Sequence, residues 1–590
     1  MELDPQQKLA VKTDSRRALV IAGAGSGKTR VLVERIAHLV EKCHASPYEI
    51  MAWSFTRKAS NELKTRLVDR LGPSANRVTC GTMHGVALST IHRYHEILGL
   101  KKDTTVYSEW EESFLLRGVA TEMGVLKKKT WKPGKKLVDA CFAAYYERGE
   151  EPAQNDSCRP LFHAFFQRCR ENNALTYGNL LIGLEALIPT MAKHGNIRHI
   201  WVDECQDLDP LQWRIINGMC EAFGASLFAV GDADQSIYKF RGATPEYIID
   251  HQSEFDTYLL EANYRSARSI VDGANRLIAH NQARIGKTMH ATMPEMNHII
   301  RLSDMDSEGL SWTIKGITDT GEKPGDFAVL ARTHVLLRRL SEELTERGID
   351  HEYVGSKSAS TNTEEFRRFH AFLKLIVNPY DNFSFLLIKD LIGLTNVQFA
   401  EIRYEAAKQG ASHFQIWLEW ADGRDDPYER FFASSTFSFA ADVFALQYAA
   451  TGCAGWNPDG WGFDITDVLS FIWGWLAEHH GSLQEYLDWL SIFDVQDEIT
   501  DEPQGLTLCT IHAAKGLEWP VVILAGVNQG IIPSKHAIAA GEIEEERRLM
   551  YVAATRARDQ LIITTRPECT EKDGRIYESP ISQFVSEMGQ

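Results

Sequence analysis

Short apolar runs that end abruptly in polar residues recur along this chain, separated by stretches whose apolar positions return every three or four residues. Ala18, Leu19, Val20 and Ile21 read as a buried parallel strand, and Val31, Leu32, Ile36, Leu39 and Val40 after them fall on one helix face. Met51–Phe55, Ile200–Val202 and Leu227–Val230 are built alike, each followed at once by polar residues. Ligands of open α/β sheets bind beyond the carboxyl ends of the strands, so these four runs predict one sheet with one ligand-binding edge. A second series begins near residue 263 and includes Phe327–Leu330, Leu506–Thr510, Val521–Leu524 and Leu561–Thr564. Residues 88–186 and 381–502 interrupt the two series with mainly helical patterns. The second interruption holds seven of the fourteen tryptophans (Trp417, Trp420, Trp456, Trp461, Trp473, Trp475 and Trp489), most of them expected in a core. It closes on an acidic run, Asp494 to Glu502, that reads as a solvated linker. The fold class is therefore α/β, with two parallel-sheet lobes that each carry a helical insertion.

The residues after the first strand are Ala22, Gly23, Ala24, Gly25, Ser26, Gly27, Lys28 and Thr29. Strand, glycine loop and helix in that order are what a phosphate-binding loop requires. Glycines let backbone N–H groups turn inward, and together with the helix N-terminus they form an anion cradle. Lys28 can reach the β- and γ-phosphates, and the Thr29 hydroxyl can ligate Mg²⁺. Ala22 stands where the strict pattern has glycine, which is tolerable if its φ stays negative. The competing reading is a glycine-rich turn ahead of a packed helix. Asp203 and Glu204 follow Ile200–Val202, where a carboxylate pair suits Mg²⁺ handling by Asp203 and proton removal from water by Glu204. Gln235, past Leu227–Val230, is placed to sense a γ-phosphate or its attacking water.

Length implies three or four domains, since 590 residues exceed one core. A composition of 44% hydrophobic and 24% charged residues is that of an ordinary globular chain. No apolar run reaches membrane-spanning length and Met1–Pro5 lacks the regions of a signal peptide, so no membrane partner is expected. Ten scattered cysteines without a CxxC pair predict reduced thiols and a cytoplasmic location. Twenty histidines without HExxH give no support to a metalloprotease. The net charge of −17 argues against a generally basic nucleic-acid binder and leaves room for a local track. Lys127–Lys136, six lysines around Trp131, is one candidate, with a solvated loop as the alternative.

Taken in order, these segments resemble the motifs of a superfamily 1 helicase of the UvrD/Rep/PcrA type, and the likeness runs from end to end. Leu3–Val11 is similar to the adenine-reading Q motif, Ala22–Arg30 to motif I, and Phe55–Ala59 and Gly81–His84 to segments that touch single-stranded DNA. Asp203–Asp207, Gly231–Ala243, Asn263–Ser266, Thr510–Trp519 and Glu544–Arg558 are similar to motifs II to VI. The resemblance implies two RecA-like motor domains, 1A (residues 1–87 and 187–262) and 2A (263–380 and 503–590), with insertions 1B (88–186) and 2B (381–502). ATP and Mg²⁺ would lie between 1A and 2A. Gln7 would contact adenine, Tyr264 would stack on it and Glu518 would bind the ribose. Ala22 through Arg30 would hold the phosphates, and Arg265 and Arg556 would reach the γ-phosphate as arginine fingers. Thr56, His84, Tyr238, Phe240 and His512 would line the DNA strand. The alternatives are core aromatics, internal histidines and, for Arg556, a surface arginine on a charged helix.

The function so implied is an ATP-dependent helicase or translocase. It would move 3′→5′ on single-stranded DNA and act at junctions with duplex. The family's Gly-Ile-Gly turn has one glycine fewer in Leu391–Thr395, and 2B looks short, which together imply a weaker grip on duplex. A second reading is a DNA-stimulated ATPase subunit serving a nuclease or repair partner; a third is a DNA-binding scaffold without turnover. RNA is also compatible as a track, because stacking does not read the 2′-OH.

Overall fold

The structure, a computed structural model, describes the chain apart from residues 1, 126–141, 143, 144, 147, 148, 294–298, 304, 320, 356–360, 422–426, 435–437, 451–460, 463, 494, 499–504, 567, 571–575 and 590. Lys127–Lys136 and Trp456 fall outside the described residues. Two compact units are present. One comprises Met1–Met83, Thr190–Gly355 and Asp494–Gln590, the other His84–Pro189 and Ser356–Phe493.

The first unit contains two six-stranded sheets. Strands β1 (Arg17–Ala22), β2 (Ile50–Trp53), β3 (Thr79–Gly81), β4 (His199–Val202), β5 (Ser226–Gly231) and β6 (Asp256–Leu260) stand in the order β3-β2-β4-β5-β1-β6, every pair parallel. Ala18 to Ala22 are at most 1% exposed, which explains the unbroken apolar run: both faces of a central parallel strand are covered. Helix α1 (Pro5–Lys12) precedes β1 and helix α2 (Lys28–Lys42) follows it. Val31, Leu32, Ile36 and Leu39 of α2 share a core with Val20, Ala22 and Trp201. Burial of such side chains is worth about 1.5–3 kcal/mol each, which is what seats the helix on the sheet. Parallel pairing also brings the carboxyl ends of β1, β2, β4, β5 and β6 to one edge. The loops Gly23–Gly27, Ser54–Thr56, Asp203–Glu204 and Asp232–Gln235 therefore gather there, as the apolar runs predicted.

The second sheet contains β7 (Ile300–Leu302), β8 (Phe327–Ala331), β9 (His351–Tyr353), β10 (Leu506–Thr510), β11 (Trp519–Ala525) and β12 (Ala557–Thr564). Their order is β7-β12-β11-β8-β10-β9, again all parallel. Alternate residues go to opposite layers. Leu330, Val522, Leu524 and Ile563 share a core with the helices Arg268–Ile278 and Ile543–Ala554. Val329, Leu508, Ile523 and Ile562 share one with Ser307–Thr318 and His334–Glu346. Two such sheets, covered by helices, are the architecture expected of RecA-like domains.

The second unit is mainly helical. Its core holds Phe369, Phe372, Phe385, Trp417, Trp461, Trp475 and Tyr486, so three of the seven tryptophans are fully in it. Trp473 is exposed. The two inserted stretches are joined inside this unit by buried polar contacts. The Tyr107 hydroxyl donates to Asp381 Oδ1 at 2.6 Å, Asn378 Nδ2 donates to Thr105 Oγ1 at 2.9 Å, and Lys374 Nζ pairs with Glu111 at 2.5 Å. Leu391–Thr395 forms a turn with Gly393 at φ +74°, and Thr395 caps the helix Asn396–Gln409.

Two expectations are corrected. The acidic run is not simply a solvated linker: Asp497 pairs with Arg57 at 3.7 Å and Glu498 Oε2 accepts from Gly355 N at 2.7 Å. A cation and a backbone donor, both remote in sequence, take up these carboxylates. The thiols are not all free either. Cys158 is disulfide-bonded, whereas Cys43, Cys80, Cys169, Cys205, Cys220 and Cys509 are free. Among the described residues, no helix is long and apolar enough to cross a membrane.

Candidate functional site

The loop after β1 has the backbone of an anion cradle. Gly25 and Gly27 sit at φ +66° and +80°, a region that glycine enters without strain. A Cβ on Gly25 would also lie 2.6 Å from Arg265 Cβ. Ala22 ends β1 and is not in that region, so its methyl group costs nothing there. Four donors hold the loop's carbonyls: Ser26 Oγ to Gly23 O at 2.8 Å, Gln7 Nε2 to Ser26 O at 2.9 Å, Asn263 Nδ2 to Ala24 O at 2.7 Å and Tyr264 N to Gly25 O at 2.9 Å. Carbonyls held in this way are not turned on a bound phosphate. Gln7 is fixed in turn by a reciprocal cap with Asp4 at the start of α1. The Tyr264 hydroxyl donates to Asp4 Oδ2 at 2.7 Å; burial and Asp4 push it up to about 12. Gln7 and Tyr264 thus share one anchor beside the loop. Lys28, Thr29 and Arg30 form the first turn of α2, all half-buried.

Glu204 occupies the left-handed region, at φ +52°, which for a side chain of this size costs about 1–3 kcal/mol. It accepts from Lys28 Nζ at 3.2 Å and from Gln206 Nε2 at 2.7 Å. Burial works to raise its pKa, but Lys28 and Lys515 outweigh burial and hold it below the usual carboxylate range. Asp203 goes the other way, raised by burial and by Glu204. The two carboxylates are therefore split: Glu204 is anionic, while Asp203 makes no ion pair among the described residues. That suits a cation. A carboxylate and the Thr29 hydroxyl fit Mg²⁺, which takes few protein ligands and keeps water and phosphate oxygens for the rest.

The second sheet's elements close over the same edge. Arg556, immediately before β12, is 2% exposed, and its Nη2 donates to Gln235 Oε1 at 3.3 Å. Its other donations go to Val552 O, Leu517 O and Thr555 Oγ1, so every acceptor is neutral. Lys515, past β10, pairs with Asp207 and donates to Gln235 O at 2.7 Å. Arg265 donates to Glu518 Oε2 at 2.5 Å and to Thr555 O at 3.2 Å. Glu518 is thus engaged by Arg265 here.

The residues expected along a nucleic-acid strand separate into distinct settings. Thr56 caps the helix Arg57–Leu71, with its Oγ1 accepting from Ala59 N. Phe240 is 67% exposed, whereas Tyr238 is only 3% exposed. Tyr238 stacks on Phe55, with centroids 4.9 Å apart, and its hydroxyl donates to His512 O at 3.0 Å. It is a buried buttress and does not present an open face. His512 meets Phe240 edge-on at 5.4 Å. Burial, with Arg332, Arg241 and Lys515 nearby, lowers its pKa to about 3, so it is neutral. His84 belongs to the second unit, where it stacks on Tyr177 at 4.1 Å.

Asn263, Lys515, Gln206 and Asp232 lie inside motif-like segments whose spacing gives those four residues no role, and Arg284 and Lys287 lie in no such segment. Residues 3–256 match the UvrD/REP helicase N-terminal domain, and residues 258–435 and 476–568 match the UvrD-like helicase C-terminal domain. The chain is 29% identical, over 99% of its length, to the ATP-dependent DNA helicase PcrA of Bacillus subtilis, 85% of which is covered. It is 28% identical to the ATP-dependent DNA helicase UvrD1 of Mycobacterium leprae, over 99% of this chain and 85% of that one. To DNA helicase II of Escherichia coli it is 27% identical, over 99% and 87% respectively.

Proposed function

The chain belongs to the UvrD/Rep/PcrA type of helicases, and on that premise we propose that it hydrolyses ATP under the control of single-stranded DNA and moves 3′→5′ along it, separating duplex or displacing proteins ahead. The observation that carries this reading is the meeting of Arg556 with Gln235, a guanidinium from one sheet on an amide from the other, at the edge that bears the glycine loop. Gln7 and Tyr264 hold the base. The loop N–H groups and Lys28 bind the phosphates, and Lys28 leaves Glu204 to do so. Glu204, anionic, accepts the proton of the attacking water. Arg556 supplies charge where the phosphoryl oxygens gain it. Mg²⁺, held by Thr29 and Asp203, would neutralise phosphate charge when bound. Because Arg556 belongs to the second sheet, turnover demands that both lobes be engaged, and this requirement couples chemistry to movement on the strand.

The test is the ATPase rate with and without single-stranded DNA, beside unwinding of 3′- and 5′-tailed duplexes. Stimulation by DNA together with opening of the 3′-tailed substrate is the expected result. A rate that DNA does not change removes the motor; stimulation without strand separation, with a nuclease co-purifying, favours an accessory ATPase. On the DNA side, Phe240→Ala is expected to weaken oligonucleotide binding by about 1–3 kcal/mol, the usual worth of one stacked base, with ATP affinity unchanged. Fluorescence anisotropy at fixed salt measures this, and an unchanged affinity removes Phe240 from the track.

A further inference from the structure

Between the helix Arg268–Ile278 and the short strand His290–Ala291 runs a strap, Asn281–Met289, that no motif singled out. Its far end packs on the phosphate loop: a Cβ on Gly23 would fall 2.9 Å from Met289 Cγ. Its middle carries two cations into the loop after β5. Lys287 Nζ lies 2.5 Å from both Asp232 Oδ1 and Asp234 Oδ2, and the side chains of all three residues are at most 3% exposed. Arg284 grips Asp234 with two donors, at 3.1 and 2.8 Å, and reaches the Lys287 carbonyl at 3.3 Å. Buried ion pairs are weak evidence of net stabilisation, because desolvation offsets attraction. What such a cluster does well is fix geometry.

The geometry fixed here is that of Gln235. Asp232 Oδ1 is taken by Lys287 and by Asp234 N, at 3.0 Å, so Oδ2 is the oxygen that accepts Gln235 Nε2, at 2.7 Å. With Nε2 so committed, Gln235 Oε1 faces Arg556. The Asp232 backbone N–H also donates to Gln206 Oε1 at 2.8 Å, and Gln206 Nε2 donates to Glu204. One buried carboxylate therefore orients the amide between the arginine and the hydrolytic edge, and Lys287 holds that carboxylate in place.

We propose that Lys287 is a positioning residue for nucleotide hydrolysis, acting through Asp232 to fix the side-chain amide of Gln235. This rests on the ATPase reading above. The test is a double-mutant cycle on the full chain, reading kcat with saturating single-stranded DNA and the affinity of a fluorescent ADP analogue. In the parent background, Lys287→Met is expected to lower kcat by about ten- to a hundredfold, the cost of a misplaced catalytic group, with nucleotide affinity within about twofold. In a Gln235→Ala background, the same substitution is expected to change kcat by less than about twofold, since there is no amide left to orient. An equal loss in both backgrounds makes Lys287 merely structural and overturns the proposal, as does full kcat in Lys287→Met. Should Lys287→Met show no cooperative melt, Asp232→Asn takes its place in the cycle under the same criteria. A parent without DNA-stimulated ATPase sinks the functional reading itself, whereas an active parent with an additive cycle sinks only this inference.

Discussion

Replacing Lys28 with alanine is expected to abolish ATP turnover, lowering kcat by about a hundredfold or more, while binding of single-stranded DNA in low salt persists. The reason lies in what Lys28 touches. It is the first residue of α2, its side chain is 14% exposed, and its ammonium is 3.2 Å from Glu204. Phosphates entering the cradle would draw that ammonium away, so on the proposed mechanism one cation would first hold Glu204 anionic and then gather phosphate charge. Alanine removes both services. The fold is expected to survive, because Gln206 still donates to Glu204 and Lys515 still lowers its pKa. Lys28→Arg is not expected to restore turnover, since a planar fork cannot follow the path of a compact ammonium. A coupled ATPase assay and oligonucleotide anisotropy on the same preparation measure the two halves. Normal turnover in the alanine variant sinks the assignment of the site.

The four inner strands of the first sheet, β1, β2, β4 and β5, were legible because they are covered on both faces and each run ends in a change of polarity along the sequence, whereas the part-exposed edge strands β3 and β6 carry no such run. The phosphate loop was legible because glycine and lysine spacing there answers to backbone geometry. Tyr238 was not. An aromatic beside a loop reads the same whether it is open or buried, and the partners that enclose this one, Phe55 among them, are distant in sequence and adjacent only once the sheets have formed. The acidic run misled for the same reason: Arg57 and the Gly355 amide meet it only in three dimensions. The joint between the insertions, Tyr107 with Asp381, is a polar pair with no periodicity to announce it. Lys287 is the extreme case, a single lysine in an irregular strap that reads as solvated and is instead enclosed by two aspartates. Periodicity reports elements that repeat; a buried charge is specified by partners, and partners are set by topology.

Arg556→Ala is expected to bind ATP within a few-fold of the parent and to hydrolyse it about a thousandfold more slowly, in keeping with the loss of an arginine finger. Arg556 is one of the largest fully buried side chains, and its bonds go to two carbonyls, one amide oxygen and one hydroxyl. Burial, with Arg265 nearby, pushes its pKa down to about 9. A guanidinium kept in a dry site with no carboxylate bound to it among the described residues is a charge awaiting an anion, and a phosphoryl group in transfer offers one. Arg265 is differently placed, because Glu518 already neutralises it in part. The alanine variant leaves the Leu517 carbonyl without this donor and opens a cavity, so nucleotide binding must be measured well below its melting temperature. Arg556→Lys keeps the charge and loses the fork, and it should recover only part of the rate. If the alanine variant instead loses mainly ATP affinity and keeps its kcat, Arg556 holds the ground state, and the link between lobe engagement and chemistry must be sought in Arg265 and Gln235.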